Sequence, residues 1–320
     1  DNYSPTDWAT ADVVRLDFDS SGRAITGFAA WTNGRSKVLL NISGNYGYIP
    51  CEHPDSTAAN RVIGTADHII QPYSAIVIEY DDTTDRIRVV SNAFNPSLLG
   101  FGNLRGHYYY ASAASATAGD WGGFAFATSG TGAALGAAAA TATQAGGWQL
   151  SAGTTTTGAC TIYFSKNLLN PATFGSAHLI VSFYFRIPTL SDGTQTFTTS
   201  IGLVPSPSSV VLDVNNSVVV KYSSGLNSGK FLAVSRDNAG AETTADTGIA
   251  PSAGTGYVIT VCIDKARSEA RYYIDGVFVA RITANLPNAV ATGQRAVIVK
   301  SAGTTSRTLV VASLMFNSIF

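Results

Sequence analysis

The chain has 320 residues, of which 45% are hydrophobic and 13% charged, with a formal net charge of −1 at pH 7. That balance excludes the basic field that a nucleic-acid partner requires. No run approaches the roughly 20 apolar residues of a membrane-crossing helix, so no membrane insertion is expected.

Residues 11–50 alternate short apolar runs with turn signals: "VVRLDF", "SSGR", "AITGFAAW", "TNGR" and "KVLLNI". Asn33-Gly34 predicts a hairpin, because both residue types tolerate positive φ. A second group follows, "HIIQPYSAIVIEY" and "RIRVVS", joined by the polar turn Asp81 to Asp85. The stretch "NAFNPSLLGFGNLRG" at 92–106 interrupts the pattern with Asn, Pro and Gly, and marks a domain boundary.

Beyond it, "ALGAAAATATQAG" has alanine helix propensity but no apolar stripe and Gly near both ends, and reads as extended or loop. Ten strand candidates then recur: "CTIYFS", "HLIVSFYFRI", "TFTTSIGLV", "SVVVKYS", "KFLAVSRD", "GYVITVCID", "ARYYID", "VFVARIT", "RAVIVKS" and "RTLVVASLMF". So many short strands exceed what one flat sheet holds, and no βαβ rhythm is present. The expected fold is all-β: a small N-terminal β-domain over residues 1–97, a linker at 98–105, and a two-sheet jelly-roll β-sandwich over 106–320.

"RYYIDGVFVARI" at 271–282 is the most legible element. Asp275-Gly276 predicts a two-residue turn that pairs Ile274 with Val277 and Tyr272 with Val279 on one face. Tyr273 and Phe278 then share the other. Both faces are apolar, so the hairpin is expected inside a sandwich or under a neighbouring subunit, with Asp275 a turn residue and not a catalyst.

Cys51, Cys160 and Cys262 are odd in number and widely spaced, without the Cys-x-x-Cys or His pairs of a zinc site. Cys160 and Cys262 lie in apolar runs and read as small buried hydrophobes, as in a chain made in a reducing cytoplasm. No basic-then-apolar leader opens the stretch, and Asp1 in first place reads as a processed or trimmed start.

Two regions resemble virion proteins of tailed bacteriophages. Residues 53–91 are similar to a small β-domain of phage fibre and tail proteins. The matching positions are Ser56, Ala58, Asn60, Arg61, Tyr80, Asp81, Arg86, Arg88, Val89 and Ser91, with Ile87 in place of the usual aromatic. From about Trp121 to Phe316 the chain resembles a concanavalin-like, laminin-G-like jelly-roll module. Its landmarks are "SGTGA" (129–133), "WQLSAGTTTTG" (148–158), "TADTGIA" (244–250), "YYIDGVFVARITANLP" (272–287) and "KSAGTTSRTLVV" (300–311). The echo of "SAGTT" at 151 and 301 is too short for a repeat and reads as two similar sheet-edge turns. The resemblance implies a homotrimeric virion appendage, assembled in the host cytoplasm and joined to other virion proteins through the N-terminal domain. It would be a tail fibre or receptor-binding protein facing host surface polysaccharide. The alternatives are a capsid-attached head fibre or decoration protein and, further off, a polysaccharide depolymerase.

Catalysis is not expected. There is no Gly-x-Ser-x-Gly elbow. "IEYDD" at 78–82 superficially matches a jelly-roll glucanase strand, but position 83 is Thr where a third carboxylate would stand. Of the four histidines, His53, His68, His107 and His178, the last starts the apolar strand "HLIVSFYF" and reads as a strand-end polar contact, not a general base. Asp237, Asp246 and Asp264 are rim carboxylates of a type that holds calcium, each with an ordinary turn or strand-end reading, and no metal or other cofactor is expected. For a sugar, the ligand surface should lie on the rim loops of the jelly-roll domain. The candidate contacts are Tyr109 and Trp121, the aromatics least explained by strand alternation, with Asp120 placed to accept sugar hydroxyls beside Trp121.

Overall fold

The computed structural model describes residues 2–32, 34–64, 67–81, 83–84, 86–93, 104–110, 124–140, 146–164, 172–175, 178–205 and 208–319. These form two units, one within Asp1–Asn103 and one within Leu104–Phe320, the hairpin tip Gly276–Phe278 set aside. Helix among the described residues is confined to the 3-10 turns Ala58–Asn60 and Asn227–Gly229. The protein is all-β.

The first unit holds β1 (Asn2–Tyr3), β2 (Val13–Leu16), β3 (Arg23–Ala24), β4 (Gly27–Phe28), β5 (Ser36–Asn41) and β6 (Gly47–Ile49). It continues with β7 (Val62–Ile63), β8 (His68–Ile70), β9 (Ala75–Asp81) and β10 (Arg86–Ala93). Its main sheet has the order β2-β5-β9-β10-β7, with β3-β6-β8 and β1-β4 as smaller sheets. Alternation decides what each strand buries. Val14, Leu16, Leu39, Ile76, Ile78, Tyr80 and Ile87 turn into the core of the unit.

An aromatic cluster belongs to that core. Trp8 stacks on Phe28 at 5.4 Å and meets Trp31 edge-on at 5.3 Å. Lys37, fully buried on the inner face of β5, places its ammonium 4.9 Å from the Trp8 ring and 5.5 Å from the Trp31 ring. It also donates to Trp8 O at 2.6 Å and to Ala11 O. Burial pushes its pKa down. The charge tolerates the interior because rings and carbonyls replace its water.

The polar turn at Asp81 to Asp85 does join two antiparallel strands, β9 and β10; Asp82 and Asp85 themselves lie outside the described residues. Among the described residues the hairpin expected at Asn33-Gly34 is not found: Arg35 N donates to Thr32 O at 3.2 Å, but the strands on either side do not pair with each other. β4 pairs in parallel with β1, while β5 pairs in parallel with β2 and antiparallel with β9. Asn33 lies outside the described residues; Gly34, at φ 66°, donates to Tyr80 O at 3.0 Å, and Trp31 Nε1 donates to Arg35 O at 2.5 Å. The turn is spent on docking against β9 and leaves β5 free to become an interior strand. The stretch Ser56 to Arg61 makes a compact knuckle: Ser56 Oγ lies 3.0 Å from Thr26 Oγ1, and Arg61 Nε donates to Ser56 O at 3.0 Å. Gly27 beneath it has no room for a Cβ, which would fall 2.5 Å from Asn60 O.

The second unit begins with β11 (Leu104–Tyr110), β12 (Phe124–Ser129), β13 (Ala133–Ala138), β14 (Gly147–Ala152), β15 (Ala159–Phe164) and β16 (Ala172–Thr173). Then come β17 (His178–Arg186), β18 (Phe197–Val204), β19 (Ser217–Tyr222), β20 (Leu232–Arg236), β21 (Glu242–Asp246) and β22 (Gly256–Ile263). β23 (Ala270–Ile274), β24 (Val277–Ile282), β25 (Ala291–Lys300) and β26 (Thr308–Ile319) complete it. One sheet runs β13-β14-β26-β17-β22-β23-β24, with β11 also on β26; the other runs β12-β15-β25-β18-β19-β20-β21, with β16 also on β25. The inward faces of both share one core that includes Leu150, Phe183, Phe185, Ile201, Val220, Tyr272, Ile298 and Val311. Each fully buried residue of this size contributes about 1.5–3 kcal/mol. Phe231 meets Phe185 at 5.9 Å and Tyr257 at 5.4 Å, and Tyr272 Oη crosses the core to donate to Val234 O at 2.8 Å.

All ten strand candidates of this half are strands, and Ala133–Ala138 is extended as read from its missing stripe; 141–145 lie outside the described residues. The hairpin β23–β24 turns on Asp275 at φ 49° and Gly276 at φ 80°, the positive pair that a two-residue turn needs. Tyr272 and Tyr273 are both fully buried within the single chain.

Candidate functional site

Four polar loops, drawn from distant parts of the sequence, meet at one end of the sandwich. They are 129–133 between β12 and β13, 152–158 between β14 and β15, 191–196 before β18, and 301–307 between β25 and β26. The last is the hub. Ala152 N donates to Arg307 O at 3.0 Å, and Ser151 Oγ lies 2.8 Å from Ser306 Oγ. Thr154 N donates to Thr131 O at 3.0 Å, tying in the first loop. Ser301 N donates to Thr196 O at 2.9 Å and Thr305 N to Gln195 Oε1 at 2.9 Å, tying in the third.

The two "SAGTT" segments are therefore neighbours, and Lys300 joins them. Its buried ammonium donates to Gly153 O at 3.3 Å and Thr305 O at 2.9 Å. Burial, with Arg307 nearby, pushes its pKa below the ordinary lysine value. Both segments bend at a glycine with left-handed φ, 71° at Gly153 and 82° at Gly303. A Cβ at Gly303 would meet Gln195 Oε1 at 2.2 Å, and one at Gly153 would meet Thr131 O at 2.4 Å. Only glycine lets these loops approach so closely.

Asp192 organises the third loop. Oδ1 accepts from Thr194 N at 2.8 Å and Gln195 N at 2.6 Å, and Oδ2 accepts from Arg307 Nη2 at 2.9 Å. These two amides and then Arg307 hold its carboxyl below the usual range. The surface so fixed presents exposed hydroxyls: Thr131, Thr154, Thr194, Thr304, Thr305 and Ser306. Each hydroxyl both donates and accepts, and the loops beneath are pre-ordered. The arrangement suits a polyhydroxylated ligand.

Three of these loops carry landmarks quoted above, but no motif groups Asp192, Gln195, Lys300 and Arg307 as a site. The available signal was the polar turn "SDGTQT" and a lysine placed directly before the second "SAGTT". Of the candidate sugar contacts, Asp120 and Trp121 lie outside the described residues. Tyr109 is on β11 with its backbone in register with Leu314, which pairs in turn with Phe183.

The carboxylates considered for metal or acid–base work are spent on turns. Asp237 Oδ1 accepts from Ala241 N at 2.9 Å, and Asp264 Oδ1 accepts from Ser268 N at 2.7 Å. Asp246 accepts from Asn227 Nδ2, Gly248 N and Lys230 Nζ, which bring its pKa down to about 2. Among the described residues no group of three or more His, Cys, Asp or Glu side chains could hold a metal ion. Asp81 caps the β9–β10 turn through Thr83 N and Thr84 Oγ1. A second ionic group lies on the outer face of β19–β21. There Lys221 bridges Asp213 at 2.6 Å and Glu242 at 3.2 Å, and Arg236 bonds Glu242 at 2.7 Å. Arg295 holds the same segment through Val211 O at 2.7 Å. This group clamps residues 209–213 over the sheet.

Fold and rim together define a jelly-roll-like β-sandwich with a built polar surface at one end. Residues 143–311, just over half of the chain, match the family described as SO2946-like, C-terminal domain, and the chain belongs to that family. No curated protein sequence matches it. Among solved structures, the carbohydrate recognition domain of Emp47p is similar with a TM-score of 0.46 and 9% identity, over 68% of this chain and 98% of that one. Peanut lectin is similar at 0.46 and 13%, over 68% and 98%. An endo-beta-1,4-glucuronan lyase from the fungus Trichoderma reesei is similar at 0.42 and 9%, over 67% and 95%. No residue role is carried over from any of them.

Proposed function

We propose that the second unit is a carbohydrate-recognition module that binds sugar through the four-loop rim and does not cleave it. The observation that carries this is the Lys300 tie, which holds two hydroxyl-bearing loops in one fixed surface. Preorganised polar groups bind at lower entropic cost than mobile ones. Asp120 and Trp121 are proposed as a further contact, an acceptor beside a stacking ring, with Tyr109 a third candidate.

The phage-like residues of 53–91 extend the reading to a homotrimeric bacteriophage virion appendage, a tail fibre or receptor-binding protein, whose first unit joins other virion proteins. The structural use of Ser56, Asn60 and Arg61 as a knuckle over Gly27 fits a scaffold role for that motif. The test is the full chain on an array of bacterial surface polysaccharides, with reducing ends assayed in parallel. Saturable binding without new reducing ends is expected. Release of oligosaccharides, or no binding to any member, would overturn the reading.

A further inference from the structure

Strand alternation sends one set of side chains of the five-stranded sheet into the core of the first unit. The other set forms an outer face. Register lines up Val13, Val38 and Val77 across β2, β5 and β9, and beside them Arg15, Leu40 and Ala75. Val13 is 54% exposed, Ile42 just past β5 is 43% exposed, and Val90 at the β10 bulge is 49% exposed. Val38, Leu40, Ala75 and Val77 are half-buried between them. Most of the other strands described bury their large apolar side chains, so this concentration of uncovered aliphatics on one sheet marks an interaction surface.

The border of the face is charged with both signs. Glu79 stands in cross-strand register with Arg88, in line with Ser36, at one end, and Arg15 flanks the apolar rows at the other. An anionic polymer or membrane would be met by cations alone, and a sugar by hydroxyls or ring faces. Arg88 is already bonded to Asp81 at 3.3 Å. Glu79 and Arg15, however, stand at opposite ends of the aliphatic centre, an arrangement that suits a closed ring of copies. Each sets its Arg15 against the next copy's Glu79 while the valines, Leu40 and Ile42 close the centre. We infer that the outer face of β2-β5-β9-β10 is the surface through which copies of this chain associate. This rests on the oligomer in the proposed function and names where it forms.

The test is the mass of the full chain at micromolar concentration by light scattering, with far-UV circular dichroism as the folding control. The unmodified chain should give three times its 33.3 kDa. Val13→Glu/Ile42→Glu should fall to the single-chain mass with its β spectrum intact. Glu79→Lys, which leaves the aliphatic centre in place, should weaken association at least tenfold. It decides the matter should the double variant lose its β spectrum. An unmodified chain that is monomeric overturns the oligomer and this inference together. An oligomeric unmodified chain whose folded variants associate undiminished overturns this inference alone.

Discussion

Asp275 and Val258 exchange two hydrogen bonds: the Asp275 amide donates to Val258 O at 2.8 Å, and Asp275 Oδ1 accepts from Val258 N at 2.7 Å. The side chain completes a ladder that the turn would otherwise end one rung early, and so stitches the β23–β24 hairpin to β22. The residue also occupies the left-handed region, which Asn and Asp tolerate better than Ala. Asp275→Ala should therefore cost about 1–2 kcal/mol and Asp275→Asn well under half of that. Thermal unfolding of both variants checks it; equal losses would show that the acceptor oxygen asparagine keeps does not account for the stability, contradicting the ladder role.

Asp246 sets an acid limit for the β20–β21 edge. Its folded pKa of about 2 lies below the ordinary 3.8. A depressed carboxyl contributes stability above its unfolded pKa and loses it as pH falls through the folded one. Asp246→Asn should thus lower the melting temperature at pH 7, with the gap to the unmodified chain closing between about pH 4 and pH 2. A gap independent of pH would contradict the assignment.

All three cysteines are free and buried, and burial pushes the Cys160 thiol up to about 12. The thiolate is the reactive form, so native protein should give no reaction with a thiol reagent at pH 8 and three equivalents once unfolded. Rapid labelling of the native chain would show that a strand carrying one of them opens readily.

Trp121→Ala tests the aromatic contact separately from the rim. A stacked ring is worth about 1–2 kcal/mol, so sugar binding should weaken about tenfold with the thermal transition unchanged. Unchanged binding, or a loss of folding, would make Trp121 a structural residue.

Much of the fold was legible because the sandwich strands carry β-branched alternation between Gly, Asn and Asp turns. The strand "ETTAD" of β21 was not, since an exposed edge strand has no apolar face to display. Asn33-Gly34 misled for a different reason. Turn chemistry reports local bend, whereas the partners of β5 arrive from β2 and β9, in pairings no local signal encodes. Buried cations were equally hidden: Lys37, Arg271, Arg295 and Lys300 look like surface residues until carbonyls and rings are seen around Lys37 and carbonyls or carboxylates around the rest. The rim was readable only in pieces, because four loops separated by up to 178 positions, from Ser129 to Arg307, become one surface only through the sheet order.

The central claim is that sugar binds at this rim. It is tested most directly by titrating the full chain and Thr194→Val/Thr304→Val with the polysaccharide that the array selects. Both hydroxyls are exposed, and valine keeps their shape. Each lost hydrogen bond is worth about 0.5–1.5 kcal/mol, so the double variant should bind about tenfold more weakly with an unchanged melting temperature. Full affinity in the double variant would place the sugar elsewhere and contradict the account.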